Sequence, residues 1–330
     1  MSSSIFYYPY ELKPRKVLNS RSHGAPRAGA LICVNGGYSD IHPWEELGDV
    51  SIAEQLRILE RGGRTPLLTA SLRFAAEDAK AREAQKSLFD GLIIPRSHLS
   101  LPRLAKQWNL DEWVRDGFAV VKIKLGFEPF QEIQVLGHLG RLLDETPQAR
   151  HIQLRLDFNQ SLKSSEGWDH FYRALPQSFW DRVDFVEDPW VYQAEKWRFS
   201  SDRCRLRLAL DRCDSVTDDL GYEVRIVKPA YQHVAVETQH AADTMKRIVI
   251  TSYMDHPVGQ MFAAWEAARA QANHPLLVDD AGLLTHDLYE PHLFSEYVGA
   301  KGAYLQNPSG PGVGFGGLLE KLPWKKLGDG

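Results

Sequence analysis

Lys122 and Lys124 stand one residue apart in the run Val120-Val121-Lys122-Ile123-Lys124-Leu125. Side chains along a strand alternate between faces, so the two ammonium groups point the same way and Val121, Ile123 and Leu125 point the other. Asp157, Glu187, Asp211 and Lys228 follow at successive intervals of 33, 30, 24 and 17 residues, each at the end of a short apolar run. Buried charge of this density is costly unless it is paired or bound to metal. Three oxygen donors with no His or Cys among them suit a hard cation, Mg²⁺ above all. A lysine crowded by a second lysine and a cation gives up its proton more readily and can serve as a base.

Something must carry these side chains to one place. Between residues 96 and 289 strand-like and helix-like stretches alternate. The strands are an irregular first one near RSHLSLP, then AVVKIKLG, HIQLRLDFN, VDFVEDP, RLRLALD, VRIVKPA, RIVITSY and PLLVDD. Helical stretches such as EPFQEIQVLGHLGRLLDE and GQMFAAWEAARAQAN separate most of them. Strands alternating with helices predict a parallel sheet, and eight such units predict a (β/α)8-type barrel, with a doubly wound open sheet as the alternative. Each candidate residue falls where its strand gives way to a loop. In a barrel that is the C-terminal rim, where catalytic groups sit.

The order of these residues resembles the enolase superfamily, and within it the muconate-lactonizing subgroup. The matching stretches are KIK on the second barrel strand, LDFN, VEDP and LALD on the third to fifth, and IVKP on the sixth. VITSYMDHPVG, GLLTHDLY and SGPGVGF extend the likeness through the seventh and eighth strands and a return segment, and the family most resembled is that of the o-succinylbenzoate synthases of menaquinone biosynthesis. The resemblance implies an enolase-like (β/α)7β barrel over residues 96–289, under an α+β capping domain of residues 1–95 completed by 290–330. It implies Mg²⁺, with Mn²⁺ as a substitute, on Asp157, Glu187 and Asp211. Arg212 follows Asp211 where the family usually has an acid, so Asp214 stands as an alternative third ligand.

The implied reaction is a dehydration of 2-succinyl-6-hydroxy-2,4-cyclohexadiene-1-carboxylate to 2-succinylbenzoate through a metal-stabilised enediolate. Lys124 is expected as general base and then acid, Lys122 as the group that lowers its pKa, and Lys228 as the cation that stabilises the enediolate. Ser252, Tyr253 and Gly282 are the expected contacts of the succinyl tail, with Asn159 and Arg155 as further candidates. Arg155 lies one layer below Asp157, where an internal ion pair ranks ahead of direct contact. Residues 35–49 read as a lid contributed by the cap.

Taken singly, each feature has a plain structural explanation. A K-x-K pair is usually a solvated strand face, Asp157 and Asn159 could form a turn, and Glu187-Asp188-Pro189 could simply stop a strand. Five such features in the right order are harder to explain that way. GVGFGG at 312–317 matches a dinucleotide-loop pattern but lacks the surrounding βαβ unit. His256 is read as a loop residue. Another enzyme of the same scaffold stays open: a dipeptide epimerase, an N-acylamino acid racemase or a cycloisomerase. So does a non-catalytic relative. The adjacent acids Asp279 and Asp280 weigh against the Asp-x-Asp expected for an epimerase.

Composition sets the outer limits. The 330 residues carry a net charge of −4, which gives no broad basic face for nucleic acid or anionic lipid. No run in the N-terminal stretch MSSSIFYYPYELKPRK is apolar enough for a signal peptide or membrane span. Three cysteines without a CxxC pair read as reduced thiols in a cytoplasmic protein. The expected partner is a small-molecule carboxylate.

Overall fold

The computed structural model describes residues 4–16, 18, 24–101, 107–211 and 220–328. It opens with β1 (Ile5–Leu12), β2 (Arg27–Val34) and β3 (Gly37–Ile41), an antiparallel sheet. The β2–β3 hairpin turns on Asn35 and Gly36, with φ of 51° and 81°. Two successive positive φ angles match the right-handed twist of the flanking strands, and Asn-Gly reaches them at the least cost. Helices α1 (Ile52–Glu60) and α2 (Pro66–Glu83) follow, each begun by a hydroxyl that accepts a free backbone N–H: Ser51 from Glu54 and Thr65 from Leu68.

The second layer runs β4 (Leu99–Leu101), α3 (Leu110–Arg115), β5 (Val120–Lys124), α4 (Pro129–Glu145), β6 (Gln153–Asp157), α5 (Ser165–Arg173), α6 (Gln177–Trp180), β7 (Val183–Glu187), α7 (Ala194–Cys204), β8 (Leu208–Leu210), β9 (Val224–Val227), α8 (Val234–Asp243), β10 (Arg247–Ile250) and α9 (Pro257–Asn273). Leu175-Pro176 separates α5 from α6, because proline has no N–H with which to extend a helix. Strands β4 to β10 lie side by side in chain order, all parallel.

The eighth segment closes the ring. Ala281 N donates to Arg96 O and His98 N to Ala281 O, each at 2.8 Å, on the β4 side. On the β10 side Gly282 N donates to Ile250 O at 2.9 Å and Ser252 N to Gly282 O at 3.0 Å. The sheet therefore has no open edge between β10 and β4, and the expected enolase-like barrel, not the open sheet, is what forms. PLLVDD contributes one isolated bridge, at Val278, and Ala281 and Gly282 just after it contribute two more.

The remaining chain forms a small hairpin, β11 (Gly299–Lys301) with β12 (Tyr304–Gln306), and then β13 (Lys325–Lys326), which pairs antiparallel with β1. On the way, Gly312 passes so close to α2 that a Cβ there would fall 2.1 Å from Asp78 Oδ1. Asp78 Oδ1 instead accepts Val313 N at 2.6 Å. The Pro-Gly-rich stretch is thus a strap that returns the chain to the N-terminal layer.

Helix α9 is buried on nearly every side because it lies between the two layers. Phe262 stacks on Phe74 of α2 at 4.6 Å, and Glu266 pairs with Arg73. Beside its N-terminus, Tyr10 donates to Asp40 Oδ1 at 2.6 Å. Asp40 and Asp255 crowd Gly259 so closely that a Cβ there would meet an oxygen of each at 2.6 Å. His256 caps α9, its Nδ1 accepting Val258 N at 3.2 Å. No helix among the described residues is long and apolar enough to cross a membrane.

Candidate active site

Sheet register puts the charged residues at one height. Lys124 stands beside Asp157, and Asp157 beside Glu187, on β5, β6 and β7, while Lys122 stands beside Arg155 one level down. Asp211, Lys228 and Thr251 are the first residues past β8, β9 and β10. The result is one pocket at the barrel mouth, lined by Lys122, Lys124, Asp157, Asn159, Glu187, Asp211, Lys228, Ser252, Tyr253 and Gly282. These are all of the candidates from the sequence except Arg155. Asp214 lies outside the described residues.

The charges are interlocked. Lys122 Nζ is 2.7 Å from the Glu187 carboxylate and 3.1 Å from Asp157 Oδ2. Lys228 Nζ is paired with Asp211 Oδ1. Lys124 Nζ donates to the backbone carbonyl of Leu18, at 2.9 Å, across the gap between the layers. Burial alone would lower the pKa of Lys122, but Asp157 and Glu187 outweigh it and hold the ammonium form firmly. Lys124 goes the other way and is lowered to about 8: burial is the larger cause, and Lys122 and Lys228 add to it against the pull of Asp157 and Glu187. Like charge from Lys122 is thus a contributor to the low pKa, not its main origin.

Four carboxyl groups crowd this mouth. Glu187 is raised to about 7, first by burial and then by Asp157, with Asp211 adding to it. Asp188, buried with φ of 43°, accepts Asp211 N at Oδ1 (3.2 Å) and is raised by burial, Asp211 and Glu187. Asn159 N donates to Asp157 Oδ1 at 3.0 Å and so turns that carboxylate. Among the described residues no three acidic, His or Cys side chains are gathered as a ready ligand cage; the lysines hold the carboxylates instead. The donor set nevertheless fits a divalent cation: it is all oxygen and buried, and the neighbouring carboxylates Asp157 and Asp211 add to the burial that raises Glu187.

Arg155 is a correction to the substrate-contact expectation. It is 1% exposed and lies below the pocket. Its Nε donates to Asp184 Oδ2 at 2.9 Å and its Nη1 to Asp280 O at 2.7 Å, so it supports the barrel interior and touches none of the mouth carboxylates. Tyr253 lines the pocket but spends its hydroxyl on Asp49 at 2.9 Å, while its carbonyl accepts Trp44 Nε1 at 2.9 Å. Ser252 Oγ lies 2.7 Å from Thr285 Oγ1. The expected lid over 35–49 divides: 37–41 is β3 itself, and only the residues after it reach the mouth, through Trp44, Leu47 and Asp49.

Several lining residues were not singled out in the sequence reading: Leu18 from the N-terminal layer, His98 and Ser100 from the first barrel strand, and Thr251, Met254, Leu284, Thr285 and Leu288. His98 and Ser100 did leave a signal, since they alternate with Leu99 and Leu101. The others are set by loop paths that no short pattern encodes.

Comparison with known proteins gives a consistent picture. Residues 5–81 match the model of the O-succinylbenzoate synthase N-terminal domain. An o-succinylbenzoate synthase of Bdellovibrio bacteriovorus is 32% identical over 335 aligned positions, covering 98% of each chain. Among solved structures, an enolase-superfamily member from Roseovarius nubinhibens, crystallised with magnesium, superposes with a TM-score of 0.75 at 14% identity, covering 98% of each chain. A dipeptide epimerase from Enterococcus faecalis gives 0.70 at 18% identity, over 94% of this chain and 99% of that one. At such identities these two structures speak for the fold alone.

Proposed function

Because the chain belongs to the o-succinylbenzoate synthase family, we propose that it dehydrates 2-succinyl-6-hydroxy-2,4-cyclohexadiene-1-carboxylate to 2-succinylbenzoate, as a cytoplasmic lyase of menaquinone (vitamin K2) biosynthesis. A cap of residues 1–95 and 290–330 would cover a barrel of 96–289 that carries the chemistry. The observation that carries the reading is the contrast between two lysines on one strand face. Lys122 is locked as a cation between Asp157 and Glu187, while its neighbour Lys124 is lowered to about 8 and can work as a base.

Asp157, Glu187 and Asp211 would hold one Mg²⁺, with Mn²⁺ as a substitute. Bound there, the cation would polarise the substrate carboxylate and stabilise negative charge developing beside C1. Lys124, neutral, takes the C1 proton. Lys228, which lines the pocket beside Asp211, stabilises the enediolate electrostatically. Lys124, now an ammonium, gives its proton to the departing C6 hydroxyl, so water leaves and the ring becomes aromatic. One group serves as base and then acid, and no net proton is exchanged with solvent.

The epimerase alternative finds less support in the acids near the eighth segment. Asp279 is paired with Arg247 at 2.6 Å and Asp280 with Arg96 at 2.9 Å, and neither lines the pocket to receive an ammonium group. A dehydration assay with the cyclohexadiene substrate, with and without Mg²⁺ and alongside an assay of dipeptide epimerisation, tests the reading. Metal-dependent turnover to 2-succinylbenzoate is expected. Epimerisation without dehydration would overturn it.

A further inference from the structure

His98 sits just before β4, at the seam where the eighth segment closes the barrel, with its backbone N bound to Ala281 O. The imidazole is buried yet lines the pocket. Arg155 Nη1 is 3.0 Å from Nδ1. A guanidinium can only donate, so Nδ1 accepts. Burial, followed by the charges of Arg155 and Lys122, holds the ring neutral. The single ring proton is therefore on Nε2. Arg155 cannot turn away, because Asp184 and Asp280 O hold it on other sides.

Nε2 has no hydrogen-bond partner among the described residues. It faces Gly282, where a Cβ would come within 3.0 Å of Nε2 and 2.7 Å of Thr251 Cγ2. Glycine at that position keeps the approach to Nε2 clear. In the ring of strands this seam lies half a turn from β7 and β8, which bring Glu187 and Asp211 to the mouth. A substrate whose ring carboxylate is held on that far side turns its other end towards His98.

We propose that His98 is a substrate-binding residue whose Nε2–H donates to an oxygen of the succinyl chain, with Arg155 as the positioning residue that fixes the tautomer. The inference rests on the synthase reading. It adds a specificity element on the first barrel strand: a fixed neutral donor that rewards an acceptor in the tail.

The test is calorimetric titration of the Mg²⁺-supplied protein with 2-succinylbenzoate, 2-butanoylbenzoate (keto oxygen, no terminal carboxylate) and 2-pentylbenzoate (neither). His98→Leu is expected to weaken 2-succinylbenzoate roughly tenfold to a hundredfold, the range for losing one donor to a polar or charged acceptor, and to leave 2-pentylbenzoate unchanged. His98→Gln, which can still offer an N–H, is expected to stay within about threefold of wild type. A loss shared by 2-butanoylbenzoate assigns the donor to the keto oxygen. A loss confined to 2-succinylbenzoate assigns it to the carboxylate. Unchanged binding of 2-succinylbenzoate, or an equal loss for 2-pentylbenzoate, overturns the proposal. Should His98→Leu not fold, the Nε2–H resonance of the wild-type protein decides: it must shift when 2-succinylbenzoate binds. Wild-type turnover is measured first, so failure of the synthase reading shows before any His98 variant is made.

Discussion

Lys122 Nζ lies between two carboxylates, 2.7 Å from Glu187 and 3.1 Å from Asp157 Oδ2. Removing that ammonium takes a like charge away from Lys124 and also frees two carboxylates that pull its pKa upward. In Lys122→Met the pH at which Lys124 becomes neutral must therefore rise. In wild type, where bound Mg²⁺ adds its charge to that of Lys122, kcat/KM is expected to climb with pH at or below about 8. In the variant that limb should move up by about one unit or more, with activity partly regained at high pH. A limb that stays in place while activity falls uniformly would show that Lys122 holds structure or substrate instead.

Lys124→Ala removes the group assigned both proton transfers. A general acid–base residue contributes roughly 10²–10⁴-fold, and a group used twice should sit at or above the top of that range. Mn²⁺ binding, followed by its paramagnetic signal, should persist in this variant. Ordinary turnover by Lys124→Ala would remove the proposed base.

Lys228→Ala should cost on the order of 10²–10³-fold in kcat, the usual loss for one electrostatic donor to a developing anion. KM should change little. A rise in KM with kcat preserved would mark Lys228 as a ground-state binding group.

Asp157→Asn, Glu187→Gln and Asp211→Asn should each weaken Mg²⁺ binding and suppress turnover, and chelation should do the same to wild type reversibly. Calorimetry with Mg²⁺ alone checks the first statement. Full metal affinity in Asp211→Asn would move the third ligand elsewhere on the fifth-strand loop.

Asp40 and Asp255 crowd each other beside Gly259 at the junction of the two layers. Burial raises Asp255 to about 7, and burial and then Asp255 raise Asp40. Both folded values lie above the unfolded one, so the native state holds more protons and stability falls as pH rises from about 4 towards 7. Asp255→Asn removes one of these penalties. Its Tm should exceed that of wild type by roughly 2–6 °C at pH 8 and by much less at pH 4.5. An equal difference at both pH values would mean that the carboxyl is not held protonated.

Much of this was legible in the sequence because strand ends are regular. A polar residue closing each apolar run identified Lys124, Asp157, Glu187, Asp211 and Lys228, and the parallel register then set them level. Arg155 was readable as lying one layer below Asp157 in an internal ion pair, but its partner Asp184, on the next strand, was not. His98 alternates with Leu99 and Leu101, but β4 is three residues long, and so short an alternation does not single out a site residue. Leu18 reaches the pocket from another layer, and contacts between distant segments leave no local trace. The direction of the Lys124 shift was readable from its neighbour, but its larger cause, burial, was not, because burial depends on what covers the mouth.

The carbonyl of Leu18 gives that last point a wider meaning. Lys124 is half-buried at the mouth, and the N-terminal layer covers it in part, as the hydrogen bond to Leu18 marks. With that layer withdrawn, water would reach the amine and its pKa would return towards the ordinary lysine value of about 10.4, leaving it charged and inert near neutral pH. The base is therefore a property of the closed molecule and not of a residue: the strand supplies an amine, and the cover turns it into a proton acceptor. On the proposed mechanism an uncovered site would lack its base, so deprotonation of the diene would wait until the cover is in place.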